Sequence, residues 1–160
     1  MKKRLYTLLA TVILTFSCFF ANTAVAQNRI FEKYSDMEDV EYICITRSML
    51  KMLSMGNGSL NVNGVNVKGL TDAIKVLVIV NSDNKDVCKQ MKSDFQTLKA
   101  DSNYEMLMLI KDDKSVVTTL YNDSKTDKEL VMYINEDDSQ TFIIITGKLN
   151  EDIVNKLISK

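Results

Sequence analysis

The chain has 160 residues, 20 of them basic and 21 acidic, and it contains no His, Trp or Pro. Without imidazole it lacks the commonest general base, the commonest metal ligand and every Ser-His or Cys-His dyad. Its interspersed charges argue against nucleic acid or an anionic membrane as partner, because both select a clustered positive face.

Lys2, Lys3 and Arg4 open the chain, an uncharged apolar run follows from Leu5 to Phe20, and Ala24-Val25-Ala26 precedes Gln27. Small residues at the third and first positions before a cut suit signal peptidase, so residues 1–26 are expected to be a signal peptide cleaved between Ala26 and Gln27. The apolar run is short of the ~20 residues of a spanning helix. Acylation at Cys18 is the rival reading. It fits less well, since Thr15 stands where a large aliphatic residue is usual. Residues 27–160 are then a single exported domain. Three basic and no acidic residues fall in 1–26, which leaves that domain a net charge of −4. No membrane span is expected in residues 27–160.

Residues 28 to 37 space Ile30, Phe31, Tyr34 and Met37 as a short amphipathic helix. Val40–Ile45 reads as a strand, and Thr46 is placed to cap a helix carrying Met49, Leu50, Met52 and Leu53. Between Ser54 and Asp72 the composition shifts to Gly, Asn and Ser. There Leu60-Asn61-Val62 and Val65-Asn66-Val67 flank Asn63-Gly64, the pattern of a two-residue hairpin. Ile74–Val80 is nearly continuous in β-branched residues and is expected to be central in a sheet. Asp83 is placed to cap a helix over 84–99 with the stripe Cys88, Met91, Phe95 and Leu98. Strands follow at Tyr104–Ile110, Ser115–Tyr121, Glu129–Asn135 and Thr141–Thr146, joined by short polar links that permit only antiparallel neighbours. A last helix starts at Asn150 with Ile153, Val154, Leu157 and Ile158 as its stripe. The expected fold is α+β: a mostly antiparallel sheet, made of a four-stranded C-terminal meander and two earlier strands, with helices mainly on one face.

No catalytic, cofactor-binding or metal site is nominated. Asp112 and Asp113, and again Glu136, Asp137 and Asp138, fall at turns where acidic residues serve the backbone. Asp36, Glu38, Asp39 and Glu41 read as a solvated acidic loop. Gly56-Asn57-Gly58 lacks the Gly-Lys-Ser/Thr of a phosphate loop. Ser48 and Lys51 have Ser-x-x-Lys spacing, and Ser82-Asp83-Asn84 is present, but Lys-Thr-Gly is not. Met49, Met52, Met55, Met106, Met108 and Met132 are read as packing residues rather than copper(I) ligands. In an oxidising compartment Cys44 and Cys88 are a candidate disulfide, with two buried free thiols as the alternative.

Several stretches together resemble a small exported family common in Bacteroidetes, catalogued as domain of unknown function 4252. They are Phe31 and Tyr34, Tyr42-Ile43-Cys44-Ile45-Thr46-Arg47-Ser48-Met49, Lys68-Gly69-Leu70 leading into Ile74–Val80, and Tyr104 opening the meander. The resemblance runs from about Ile30 to Ile158 and implies an α+β envelope domain. It supplies no catalytic or binding residues. The expected function is non-catalytic: binding of an unidentified envelope protein or component through a sheet face or exposed edge. The alternative is a small-molecule or lipid carrier, its ligand lying between sheet and helices. An enzyme built on Asp112 and Asp113 would require them in a cleft.

Overall fold

The computed structural model describes residues 29–55, 61–62, 65–66, 70–124 and 126–158. The expected signal peptide, its cut at Ala26 and Gln27, Cys18, Gly56-Asn57-Gly58 and the Asn63-Gly64 turn lie outside the described residues. Two compact units are distinguished, divided between Asp36 and Met37.

In the first unit, helix α1 (Arg29–Glu32) passes directly into a 3₁₀ turn, Lys33–Asp36. The sequence suggests one continuous helix here. Ser35 Oγ instead donates to the Glu32 carbonyl at 2.7 Å, a local bond that competes with the α-helical pattern and suits a tighter turn.

The second unit runs β1 (Glu41–Thr46), α2 (Arg47–Met55), β2 (Asn61–Val62), β3 (Val65–Asn66), β4 (Ile74–Ser82) and α3 (Lys85–Ala100). It continues through β5 (Glu105–Lys111), β6 (Ser115–Asn122), β7 (Lys128–Glu136) and β8 (Gln140–Gly147) to α4 (Glu151–Ile158). Six strands form one sheet in the order β1-β4-β8-β7-β6-β5, with every neighbouring pair antiparallel. Strands β2 and β3 pair separately, Asn61 with Asn66 and Val62 with Val65, the hairpin expected around Asn63-Gly64.

Strand registers sort the side chains into two faces, because successive residues point to opposite sides. Leu77, Ile145 and Leu130 lie in one row, and Ile79, Ile143 and Met132 in the next, on the same face. Leu149, Val154 and Leu157 join them, bringing α4 onto that face together with Leu50 of α2. Val78, Ile144 and Val131, then Val80, Phe142 and Tyr133, form rows on the opposite face. There α3 packs: the Phe95 ring stacks on Tyr133 at 4.3 Å between centroids and lies 6.5 Å from Phe142. Met91, Phe95 and Leu98 are buried, as their helical spacing requires.

Helices α2 and α4 thus share one face, as expected, and α3, the longest, covers the other. The physical reason is legible in β4 and β8, whose central runs Val76–Val80 and Phe142–Ile145 are apolar on both faces and so need cover on both sides. The segment from β4 through α3 to β5 spans β8, β7 and β6, which spreads the longest helix over the face that α4 leaves.

Local sequence explains the joints. Asn84, not Asp83, caps α3: its Oδ1 accepts from the amides of Asp86 at 2.9 Å and Val87 at 3.3 Å. Asp83 is displaced from that role because Ser82 Oγ already accepts from the Asn84 amide, while donating to the Asp39 carbonyl at 2.7 Å. Asp39 itself has φ 61, in the left-handed region that Asp tolerates. Asn150 Oδ1 accepts from the Ile153 amide and so starts α4. Gly147, at φ 158, passes so close to β4 that a Cβ would lie 2.1 Å from the Ala73 carbonyl oxygen.

Candidate functional site

The residues that the sequence brings forward end in separate, mostly ordinary places. Cys44 is exposed, Cys88 is half-buried, and both are free. The candidate disulfide is not formed, for a geometric reason. Cys44 pairs with Val78, whereas Cys88 Sγ donates to the Ser82 carbonyl at 3.3 Å, four residues further along β4. Four strand residues span ~13 Å, well beyond disulfide reach. The buried-thiol alternative fails for Cys44 as well, because β1 is an outer strand.

Asp112 and Asp113 are exposed at the β5–β6 turn. The Asp112 carboxylate accepts from the Lys114 and Ser115 amides and from Ser115 Oγ, closing the turn. Glu136, Asp137 and Asp138 are exposed at the β7–β8 turn, where Ser139 Oγ donates to Glu136. Ser48 is exposed and Lys51 pairs with Asp72 at 3.5 Å. Among the described residues no group of three or more His, Cys, Asp or Glu is placed to hold a metal. No helix there is long and apolar enough to cross a membrane.

Three methionines depart from the packing role: Met49, Met52 and Met106 are 45%, 63% and 40% exposed. The first two sit on α2 away from Leu50, which alone carries that helix's described contact with the core. Met108 and Met132 are half-buried on strands, as expected.

Polar groups the sequence does not single out are buried beneath α3. Tyr104 Oη donates to Glu129 Oε1 at 2.5 Å, and both residues are buried. Burial, then the Glu129 charge, pushes the Tyr104 hydroxyl well above the ordinary phenol range. Beside it lies buried Asn122, paired in register with Glu129, whose side chain interacts with the Tyr104 hydroxyl and offsets part of that shift. Tyr133 Oη donates to Gln140 Oε1 at 2.6 Å, and Gln140 Nε2 to Asn135 at 3.0 Å. Burial, and next the neighbouring Asp83 carboxylate, raises the Cys88 thiol, which keeps it protonated and poorly nucleophilic at neutral pH. The hydrogen bonds of these groups tie this layer together.

What stands open is the outer strand β5. Among the described residues it has no partner on its far side, and between Glu105 and Lys111 at its ends Met106-Leu107-Met108-Leu109-Ile110 carries no charge. Leu109 is 59% and Ile110 43% exposed. Soluble proteins usually blunt such an edge with lysine, proline or a bulge. Here Lys111 ends the strand and a bulge at Leu107 shifts the register between Met106 and Met108, yet Met106, Leu109 and Ile110 remain exposed. Two open clefts flank this sheet. One, of about 500 Å³, runs between the start of α3 and the β7–β8 turn; Lys85, Lys89 and Lys92 face Glu136, Asp137 and Asp138 across it. The other, of about 430 Å³, lies between α4 and the β5–β6 pair.

The architecture defines an α+β domain with a six-stranded antiparallel sheet covered on both faces and open at an apolar edge. Residues 34–157 match the family described as a domain of unknown function (DUF4252), and the chain belongs to that family. Searches of curated proteins and of solved structures found no match.

Proposed function

We propose that this is a non-catalytic binding module of the cell envelope, exported by its N-terminal signal, that takes an extended segment of a partner protein along β5. The observation that carries the reading is the exposed edge itself, apolar from Met106 to Ile110 between the charged ends Glu105 and Lys111. Its outward amides and carbonyls offer a ready ladder, and Met106, Leu109 and Ile110 offer apolar contact to alternate side chains of an added strand. Strand addition needs no imidazole, nucleophile or metal, which accords with a composition lacking His. Export accords with the charged start, apolar run and Ala24-Val25-Ala26 of residues 1–26.

The carrier alternative has one structural support, the cleft beneath α4. The space beneath α3 is filled by Phe95, Met91 and Leu98 against Tyr133 and Phe142. Capture from envelope extract tests the leading reading. The protein should retain a partner, and Leu109→Lys, placed on an exposed side chain, should lose it without changing the melting temperature. Equal retention by both proteins removes β5 as the contact.

A further inference from the structure

Helix α2 turns leucine inward and methionine outward. Leu50 is fully buried in the core, whereas Met49 and Met52 are 45% and 63% exposed. At about 100° per residue, Met52 stands roughly 200° from Leu50, so the spacing itself carries it away from the sheet. Met49, Met52 and Met55 recur at every third position, and three of the chain's nine methionines thus fall within Arg47–Met55. Packing accounts for neither Met49 nor Met52, since exposed side chains gain little from it.

Residues three apart on a helix have Cβ atoms about 5–6 Å from each other. Each thioether ends an unbranched stem with three rotatable bonds, so the sulfurs of Met49 and Met52 can close on one ion. A thioether is a soft, uncharged donor. It suits copper(I), whereas calcium, magnesium and manganese take oxygen. The two cations of the helix are engaged toward the start of β4: Arg47 Nε donates to the Ile74 carbonyl at 3.3 Å, and Lys51 pairs with Asp72 at 3.5 Å. Exposed Cys44 lies elsewhere, in the row of Val78 on the face that α3 covers, opposite the face of Leu50.

We infer that Met49 and Met52 form a copper(I) site on the outer side of α2. Two thioethers open to solvent hold the ion exchangeably rather than as a structural centre. Helix α2 follows β1, at the margin of the sheet opposite β5, so the inference is independent of the strand-addition reading.

The test uses the full chain carrying Cys18→Ser, Cys44→Ser and Cys88→Ser, since thiolates would themselves take copper(I). Under ascorbate and without oxygen it competes with a chromogenic copper(I) chelator, while ¹³C-labelled methionine methyls are followed by NMR. The protein should withdraw copper(I) from the chelator, with the Met49 and Met52 methyl signals shifting together. Met49→Leu and Met52→Leu should each weaken binding about tenfold or more, and the double variant should lose it. Leu preserves volume and helix propensity at these exposed positions, so the variants keep the fold, checked by circular dichroism. Zinc(II) should leave both methyls unmoved. No withdrawal of copper(I), equal affinity in the double variant, shifts confined to other methionines, or an equal response to zinc(II) overturns the inference. Any of these leaves the β5 reading standing, because capture through Leu109 does not involve α2.

Discussion

Replacing Phe95 by Ala tests whether α3 is a true second cover of the sheet. Phe95 is 4% exposed and stacks on Tyr133 at 4.3 Å, so the substitution removes a whole ring from a filled layer. Phe→Ala in such a setting costs about 3–5 kcal/mol, of which the ring–ring geometry contributes roughly 0.5–1.5 kcal/mol. Set against the ~5–15 kcal/mol that holds a typical domain, the loss is severe. For a unit of this size it corresponds to a fall in Tm of roughly 12–20 °C. Urea unfolding followed by circular dichroism measures it, with Gln96→Ala, on the exposed neighbouring position, as the control expected within about 0.5 kcal/mol of the parent. A Phe95→Ala loss below about 1 kcal/mol would mean that the helix does not pack as described, and the face beneath it would have to be reconsidered as a binding surface.

Further outcomes follow from other contacts. Gly147→Ala should destabilise by about 2 kcal/mol or more, since the new Cβ meets the backbone carbonyl of Ala73 and cannot be relieved by a side-chain rotation; an unchanged thermal melt would contradict this. Tyr104→Phe keeps the ring but withdraws the hydroxyl bonded to buried Glu129, at a cost of about 1–3 kcal/mol in the same assay. Iodoacetamide at pH 8 should label exposed Cys44 ahead of Cys88. The raised Cys88 pKa lowers its thiolate fraction below that of an ordinary thiol, so its labelling should catch up only as pH rises further. Peptide mass spectrometry reads the order, and alkylation of both Cys44 and Cys88 without reductant would match the unbridged geometry.

The strands were the legible part of this sequence. The meander declares itself through apolar runs separated by Asp112-Asp113 and Glu136-Asp137-Asp138, because links that short leave the chain no route but an antiparallel return. Helix starts were readable to within a residue: the cap of α3 fell on Asn84 rather than Asp83, a distinction made by the Ser82–Asp39 contact, which joins residues 43 positions apart. Which strands meet was not written locally. Nothing in Gln140–Gly147 says that it pairs with β4, yet that pairing leaves β5 at the margin and thereby creates the candidate site. The exposure of Cys44 and Met106 has the same origin, since a strand's burial depends on its place in the sheet as well as its composition. The buried Tyr104–Glu129 bond was equally hidden, because a glutamate at a strand start ordinarily reads as solvated.

The most direct test of β5 as the contact is a photoreactive side chain placed at Leu109 in the intact envelope, with the same group at Lys92 on the exposed side of α3 for comparison. The account predicts a discrete cross-linked adduct from position 109 and none from position 92. An adduct from position 92 with none from position 109 would contradict it.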